Sequence, residues 1–283
     1  MNHGTFLGIA HRVPGLLKDA FEKITEALRS TELIHADETT WMMDGKKAYA
    51  WIFANDIFKA FLFRDTRGSV VPLEVFGEEL LKLVLVTDRY RGYLPLKLRR
   101  QFCYVHLIRD VKKLELEFPE DEEITKFAND LNELLAEAIG LRNENLTLNE
   151  YRKKALELKN QIMKICESSA NHPGIQHIQN IFRENTDCLF QWVDSPDIPA
   201  ENNYAERGLR PTVIARKISF GSHSEKGMRT REILMTVMHT AKCRGRDPAE
   251  FMEQVLDIFA KDKSADISHL LIPQKTLKDK SVA

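Results

Sequence analysis

Three carboxylates lie where predicted elements begin or end, so side chains from distant parts of the chain can meet there. Asp37 ends a short apolar stretch, Asp88 ends a longer one, and Glu206 lies in the first turn of a predicted helix. Clustered carboxylates raise one another's pKa, so such a cluster calls for a cation. Mg²⁺ suits it because it takes carboxylate and water oxygens, and Mn²⁺ is an alternative. Two such ions, roughly 3.5–4 Å apart, can clamp a phosphodiester, so the pattern indicates metal-dependent phosphoryl transfer.

The same three residues also have a purely structural interpretation. Aspartate is common in the turns that end strands, which would account for Asp37 and Asp88. Glu206 follows Asn203 by three residues, which is the spacing of a helix capping box. Because the chain has 42 acidic residues, spacing alone does not distinguish a metal site from local structure.

The first hundred residues alternate between helix and strand patterns. Apolar residues at helical spacing predict a helix over 14–30. The period then changes, which predicts strands over 33–37, 48–53 and 57–63, with turns at Asp44-Gly45 and Asn55-Asp56. The following patterns predict a helix from Pro72 to Leu81, a buried strand over 83–86, a short basic helix over 95–100 and a fifth strand over 102–105.

This order of elements predicts an α/β domain built on a mixed sheet. It matches the strand order of the ribonuclease H-like fold. In that fold the first and fourth strands are neighbours, so their C-terminal ends meet. Asp37 and Asp88 are therefore expected to end two adjacent strands, with Glu206 opposite them on a helix.

The rest of the chain is predicted to be helical. The first helices span 106–117, 121–139, 147–168 and 174–190. Later helices begin at Asn203 and span 225–243 and 248–260, with Ser222 or Ser224 as the cap of the second. We divide the chain into an N-terminal helix (1–30), the first part of a ribonuclease H-like catalytic domain (31–106), an all-helical insertion (107–195), the C-terminal part of that domain (196–262) and a flexible tail (263–283).

Charge is unevenly distributed, although the formal net charge is only −1. Arg89–Lys113 holds eight Lys/Arg against one acid, and Glu206–Arg246 holds ten against three. Glu115–Glu150, between them, holds eleven acids against two bases. Clustered Lys and Arg indicate a phosphate-binding surface, and solvated helix faces are the alternative interpretation.

Cysteine spacing and hydropathy indicate the compartment. The four cysteines are scattered, which is typical of free thiols in a reducing cytosol. No run approaches the ~20 apolar residues that cross a bilayer, and the first twelve residues have no secretory pattern. We therefore expect a cytoplasmic protein without membrane association.

Four motifs contain or flank the three carboxylates. They are His35-Ala36-Asp37-Glu38-Thr39, then Thr87-Asp88-Arg89-Tyr90-Arg91-Gly92-Tyr93, then Cys103-Tyr104-Val105-His106 with Arg109-Asp110, and last Asn202-Asn203-Tyr204-Ala205-Glu206-Arg207-Gly208-Leu209-Arg210-Pro211 with its continuation to Ser222. In their order and approximate spacing, from about residue 30 to residue 260, they resemble the motifs of the insertion sequence 66 family of transposases.

The resemblance implies the catalytic core of a prokaryotic DDE-type transposase, with Asp37, Asp88 and Glu206 as catalytic and metal-binding residues. It further implies two Mg²⁺ ions, element ends and target DNA as partners, a homo-oligomer on DNA, accessory transposition proteins and association with the nucleoid. Two positions depart from the family pattern. Arg89 stands where glycine often follows the second aspartate, and Tyr104 stands where tryptophan often follows the cysteine.

Supporting residues surround these motifs. Cys103 and His106 are too few for a structural zinc site, which normally has four ligands, so we expect a structural role near the active site. His35 shares a strand face with Asp37 and either contacts substrate or packs, and Asn203 is expected to support the start of the catalytic helix. The candidates for phosphate contacts, with surface charge as the alternative, are Arg207, Arg210, Arg216 and Lys217.

Only one helix is predicted before Asp37, whereas the family usually has a long N-terminal portion with DNA-end recognition elements. We therefore expect a truncated chain, which is a cut-down catalytic domain, a decayed remnant or a protein that relies on another chain for recognition. The leading hypothesis is two-metal DNA strand cleavage and strand transfer. The alternatives are a catalytically inactive DNA-binding remnant and a ribonuclease H-like nuclease that is not a transposase.

Overall fold

The computed structural model describes residues 3–273, which combine strands and helices. The strands are β1 (Leu33–Met43), β2 (Lys46–Ala54), β3 (Lys59–Arg64), β4 (Val84–Thr87) and β5 (Arg99–Phe102). The helices are α1 (His3–Ala27), α2 (Val70–Phe76), α3 (Tyr104–Glu117), α4 (Glu122–Gly140), α5 (Leu148–Glu167), α6 (Pro173–Glu184), α7 (Thr186–Leu189), α8 (Asn203–Ser219), α9 (Glu225–Cys243) and α10 (Pro248–Lys261). The strands form a mixed sheet in the order β3-β2-β1-β4-β5, so the expected α/β class is confirmed.

The chain divides into two compact units. The first consists of Met1–Leu83, Arg91–Lys97 and Asn203–Ala283, and it contains the antiparallel strands β1, β2 and β3. The second consists of Val84–Tyr90 and Leu98–Asn202, and it contains the parallel pair β4 and β5 with helices α3 to α7.

Strands β1 and β2 form a long hairpin whose register carries the first carboxylate. The two residues of its turn, Asp44 and Gly45, have φ values of 50° and 72°, as a two-residue loop of this type requires, so the predicted turn is confirmed. Pairing continues without interruption to Met43 opposite Lys46. Strand β1 therefore has 11 residues, and Asp37 lies inside it. The sequence had predicted that Asp37 ends the strand. The prediction was wrong because pairing with β2 across the hairpin continues to the turn and extends the strand past Asp37.

Helix α9 supplies hydrogen-bond acceptors to the outer edge of β3. The amide N–H of Phe63 donates to Glu232 Oε2 (2.8 Å), that of Phe61 to Thr236 Oγ1 (2.9 Å) and that of Lys59 to Thr240 Oγ1 (3.2 Å). These acceptors are four residues apart on a helix, about 6 Å, and the donors are two residues apart on a strand, about 6.8 Å. The two repeats nearly match, so one helix face satisfies a strand edge that would otherwise expose its donors.

The Thr236 hydroxyl is expected to contribute to stability because it accepts a hydrogen bond from a fully buried strand residue. Replacing it, Thr236→Val, leaves the Phe61 N–H without this acceptor and should lower the free energy of unfolding by about 1–3 kcal/mol, measured by urea denaturation. The control Thr236→Ser keeps the hydroxyl and should lose much less. Equal losses in the two variants would mean that the methyl group, not the hydrogen bond, matters.

The second unit is organised around Tyr104, the first residue of α3. Its hydroxyl donates to the carbonyl of Leu189 (2.7 Å) and accepts the indole N–H of Trp192 (2.9 Å). Complete burial raises the pKa of Tyr104 well above its usual value, so the hydroxyl stays neutral and keeps its proton for donation. The tyrosine that departs from the family pattern thus both donates and accepts a hydrogen bond.

Helices α3 to α6 and the 310 turns beside them confirm the helical pattern predicted after the fifth strand. One predicted helix, over 174–190, is divided at Asn185 into α6 and α7. Helix α5 begins with a capping box in which Thr147 and Glu150 exchange hydrogen bonds. Such caps are local in sequence, which is why these helix boundaries were predicted well.

Three elements between β3 and α3 differ from the predictions. Helix α2 begins before Pro72 and ends at Phe76, because Gly77 adopts a left-handed conformation (φ 73°) that terminates it. The basic helix predicted over 95–100 is wrong, since a 310 turn covers Arg91–Tyr93 and β5 begins at Arg99. The strand predicted over 102–105 is wrong as well, because β5 ends at Phe102 and helix α3 follows one residue later.

Part of the predicted flexible tail is packed in the first unit. Leu271 and Ile272 are buried. Lys23 donates to Asp266 (2.6 Å) and, with smaller contributions from Ser268, lowers the pKa of that carboxyl to about 2. The rest of that prediction, residues 274–283, lies outside the described residues. Within the described part of the chain, no helix combines the length and apolar character needed to cross a membrane.

Candidate active site

Asp37 lies on the face of β1 that α8 covers. Its neighbours on that face, two residues away on either side, are His35 and Thr39. The His35 ring lies 5.1 Å from the ring of Tyr204 on α8. Arg216, near the other end of α8, donates to the hydroxyl of Thr39 (3.3 Å). Since both neighbours of Asp37 contact α8, the side chain of Asp37 points toward the helix that carries Glu206.

A glycine brings α8 close to the hairpin at the level of Asp37. Gly208 lies over Ile52, the residue directly paired with Asp37 on β2. A Cβ added at Gly208 would come within 2.4 Å of Ile52 Cδ1, so a larger residue would push the helix or the isoleucine away. Glu206 is two residues before Gly208 and two after Tyr204, so these contacts hold the half-buried glutamate beside the part of β1 that contains Asp37.

Asp88 lies in the second unit. It directly follows β4, and this position at the end of a strand was predicted. Its Oδ1 accepts the backbone N–H of Tyr90 (2.9 Å) and the hydroxyl proton of Thr87 (3.4 Å). The carbonyl of Thr87 in turn accepts the N–H of Cys103 (2.9 Å). These bonds orient the carboxylate at the end of the strand. They involve Oδ1 and not Oδ2.

Arg89, the first departure from the family pattern, has a specific partner. Its guanidinium pairs with Asp110 on α3, the acid that closes the Cys-x-x-His motif. This ion pair directs the long side chain to α3. Arg89, which stands where the family often has glycine, therefore contacts another residue of the second unit, and that residue belongs to the neighbouring motif.

A structural role near the site was predicted for Cys103. It is buried at the N-terminal cap of α3, and its Sγ accepts the backbone N–H of Asn202 (3.1 Å), just before the glutamate-bearing helix. His106 lies in the first turn of α3, with Nε2 3.4 Å from Arg109 Nη1. Among residues 3–273, no three His, Cys, Asp or Glu side chains lie close enough together to hold a metal ion.

A buried cluster that was not predicted from the sequence lies next to Asp37. Glu38 turns to the opposite face of β1, where its side chain is 1% exposed. Its Oε2 accepts the hydroxyl proton of Tyr93 (2.7 Å), and its Oε1 accepts the Nε proton of Arg67 (2.9 Å). Glu38 belongs to the first motif and Tyr93 to the second. The available signal was the presence of both residues inside motifs without an assigned role.

The bond between Tyr93 and Glu38 is charge-assisted and buried, so its loss should be costly. Tyr93→Phe should lower the free energy of unfolding by about 1–3 kcal/mol, because a buried carboxylate loses a donor. Thermal or urea unfolding measures the change. Tyr49→Phe, on a half-buried ring of β2, is the matched control and should change stability by less than about 0.5 kcal/mol. A similar small change in Tyr93→Phe would show that the hydroxyl is dispensable.

The basic candidates on α8 fall into two groups. Arg207, Arg210 and Lys217 are exposed. Arg216 is half-buried and donates to Thr39 and to Thr40, so it ties the helix to β1 rather than pointing into solvent. Asn203 is the first residue of α8. Ser224 caps α9 by accepting the N–H of Gly227, as predicted for one of the two serines.

Comparison with known proteins gives two kinds of match. The family model described as "Transposase IS66 family" matches residues 1–230. An uncharacterized protein of Sinorhizobium fredii, y4qI, is 25% identical over 291 aligned positions, covering 88% of this chain and 52% of that protein. A second, y4jD, is 24% identical over 306 positions, covering 91% and 56%. The chain therefore spans about half the length of these curated relatives.

Proposed function

This chain belongs to the IS66 family of transposases, and on that premise we propose that it is a DNA transposase catalytic core that cleaves DNA strands and transfers them to a target. The observation that carries the proposal is the placement of two motif carboxylates in the first unit. Asp37 faces α8, and α8 carries Glu206 in its first turn. Asp88, the third carboxylate, directly follows the buried strand β4. The backbone N–H of Tyr90 donates to it and orients it.

The fold proposed for this core is ribonuclease H-like. Three antiparallel strands precede the helix α2, and a buried strand with Asp88 at its end follows. The mixed sheet order supports this assignment. The helices between β5 and α8 are then an insertion that separates the second aspartate from the glutamate.

Asp37, Asp88 and Glu206 would together hold two Mg²⁺ ions, with Mn²⁺ as an alternative, provided that binding draws the three carboxylates closer than they lie among the described residues. Three carboxylates provide only hard oxygen donors, which is the donor set that these cations prefer. When bound, the two ions activate the attacking oxygen and stabilise the leaving oxygen of a phosphodiester. Glu232, another glutamate on a neighbouring helix, is not a candidate because Arg64, Arg229 and the N–H of Phe63 already engage it.

The chain's own residues orient the reacting DNA. Exposed Arg207, Arg210 and Lys217 neutralise backbone phosphates without reading the sequence. Water attacks a phosphodiester at an element end, its oxygen bonds to phosphorus, and the 3′ oxygen leaves as a hydroxyl. That 3′ oxygen then attacks a phosphorus of target DNA and displaces the target's 3′ oxygen. We propose that the protein acts as a homo-oligomer on element ends and target DNA, with accessory transposition proteins, at the nucleoid.

Neutral isosteres of the three carboxylates should abolish strand cleavage without unfolding the chain. Asp37→Asn, Asp88→Asn and Glu206→Gln should each lower nicking of supercoiled plasmid in Mg²⁺ or Mn²⁺ by more than about 100-fold, since even outer-shell partners of metal ligands matter this much. Asp65→Asn, an exposed carboxylate in the first unit, is the control and should nick at the wild-type rate. Circular dichroism and melting curves verify the fold of each variant.

The outcomes separate the alternatives. Full nicking by Asp88→Asn contradicts the assignment of the site. DNA binding without nicking in either metal, in the wild-type chain, favours an inactive DNA-binding remnant. Cleavage of RNA–DNA hybrids or four-way junctions, without joining of a 3′-hydroxyl oligonucleotide to plasmid, favours a nuclease that is not a transposase.

Metal binding gives a readout that does not depend on turnover. Calorimetric titration of Mn²⁺ into the wild-type chain with a duplex oligonucleotide should detect binding that Asp88→Asn weakens at least about tenfold, because one of three anionic ligands is lost. The Asp65→Asn control should bind like the wild type. Equal binding in all three proteins would remove Asp88 from the metal site.

A further inference from the structure

Helix α8 has an outward face of exposed side chains. Its residues recur at three- and four-residue spacing, so they lie within about one third of the helix circumference. They are the exposed residues Arg207, Arg210, Ile214, Lys217 and Ile218. The opposite face, with Ala205, Gly208, Leu209 and Thr212, is buried against the hairpin. We call the exposed set, with Phe220 just beyond it, the α8 outer face.

The charge of the α8 outer face is uniformly positive. Residues 207–224 contain four Lys or Arg and no Asp or Glu. Three of the four, Arg207, Arg210 and Lys217, are exposed, and the first and last are ten residues apart, about 15 Å along the helix. A basic strip of this length, interleaved with apolar side chains, suits a polyanion with apolar faces.

The ring of Phe220 is mostly exposed, and its backbone conformation is unfavourable. It is 80% exposed and has φ 57°, a left-handed conformation that is unfavourable for a bulky residue. Its N–H donates to the carbonyl of Arg216 (2.9 Å), so it follows the last turn of α8 at the position that usually holds glycine. Glycine would adopt this conformation at lower cost, and the exposed ring buries no compensating surface.

The backbone that carries Phe220 is held firmly by the hairpin. A Cβ at Gly221 would lie 2.3 Å from the carbonyl oxygen of Met42, so only glycine fits there. Ser222 donates its N–H to that same carbonyl (2.9 Å) and accepts the N–H of Asp44 (2.8 Å). The ring is therefore presented to solvent from a fixed position beside the basic strip.

We propose that Phe220 stacks on an unpaired base of DNA whose backbone lies along Arg207, Arg210 and Lys217. This inference rests on the proposed function and assigns a contact residue to it. Aromatic side chains beside a basic groove bind single strands by stacking, which tolerates any base because every base has a flat face. A second copy of this chain is the less favoured occupant, because the α8 outer face has no acid to complement its own positive charge.

The experiment measures affinity for a fluorescein-labelled 25-nucleotide single strand of mixed sequence, by anisotropy, over a series of salt concentrations. Phe220→Ala should weaken binding roughly 5- to 150-fold, the range expected for loss of one stacked base, without changing the salt dependence. Lys217→Ala should reduce the salt slope by about one phosphate contact. Leu80→Ala, which removes an equally exposed apolar side chain elsewhere in the first unit, should bind like the wild type.

A tryptophan at the same position reports stacking directly. The three native tryptophans are fully buried, so Phe220→Trp adds the single exposed indole among the described residues. Its emission should be quenched by the oligonucleotide, whereas Leu80→Trp should show no quenching beyond that of the wild type. Phe220→Gly should melt a few degrees higher than the wild type, because strain is relieved, and yet bind the single strand as weakly as Phe220→Ala.

Each result bears on one proposal or both. Wild-type affinity in Phe220→Ala, or an unquenched indole in bound Phe220→Trp, overturns the stacking proposal and leaves the transposase proposal intact. A change of oligomeric state in Phe220→Ala without DNA, measured by light scattering, assigns the face to a protein partner and also overturns it. Absence of binding by the wild type at low salt contradicts both proposals.

Discussion

Helix α8 can lie close to the β1–β2 hairpin because two of the residues that face the sheet, Ala205 and Gly208, are small. Gly208 comes so close to Ile52 that a methyl group would collide with it. This approach fixes three things together. It holds Glu206 beside the segment of β1 that contains Asp37, it turns Arg216 toward Thr39 and Thr40, and it leaves the opposite side of the helix in solvent.

The sheet of the first unit needs a partner on its outer edge as much as it needs α8 on its face. Strand β3 ends the sheet and would expose every second N–H group. The acceptors on α9 recur with nearly the repeat of the strand, so the helix replaces a further strand. Glu232 is 1% exposed in this role and is matched by two arginines, which explains why a buried carboxylate is tolerated there.

The two residues that depart from the family pattern each form specific contacts in this chain. Arg89 binds Asp110, and Tyr104 uses its hydroxyl both as donor and as acceptor at the centre of the second unit. The glutamate that follows Asp37 binds a tyrosine of the next motif. Residues within these motifs thus serve two purposes, since some carry the proposed chemistry and others hold their neighbours in position.

The sequence by itself determined the family, the α/β class and most of the helix boundaries from α3 onward, and it supplied the three carboxylates that remain a proposal. Helix α9 was predicted at its true bounds, because caps and helical periodicity depend on residues within a few positions of each other. Tertiary structure decided the rest. The helical start at Tyr104 after a buried Cys103 and the inward turn of Arg216 depend on partners far along the chain, and the length of β1 depends on pairing with β2 across the hairpin. Pairing and burial with such partners override local preference, so periodicity alone could not locate Asp37 inside its strand or identify the strained, exposed Phe220.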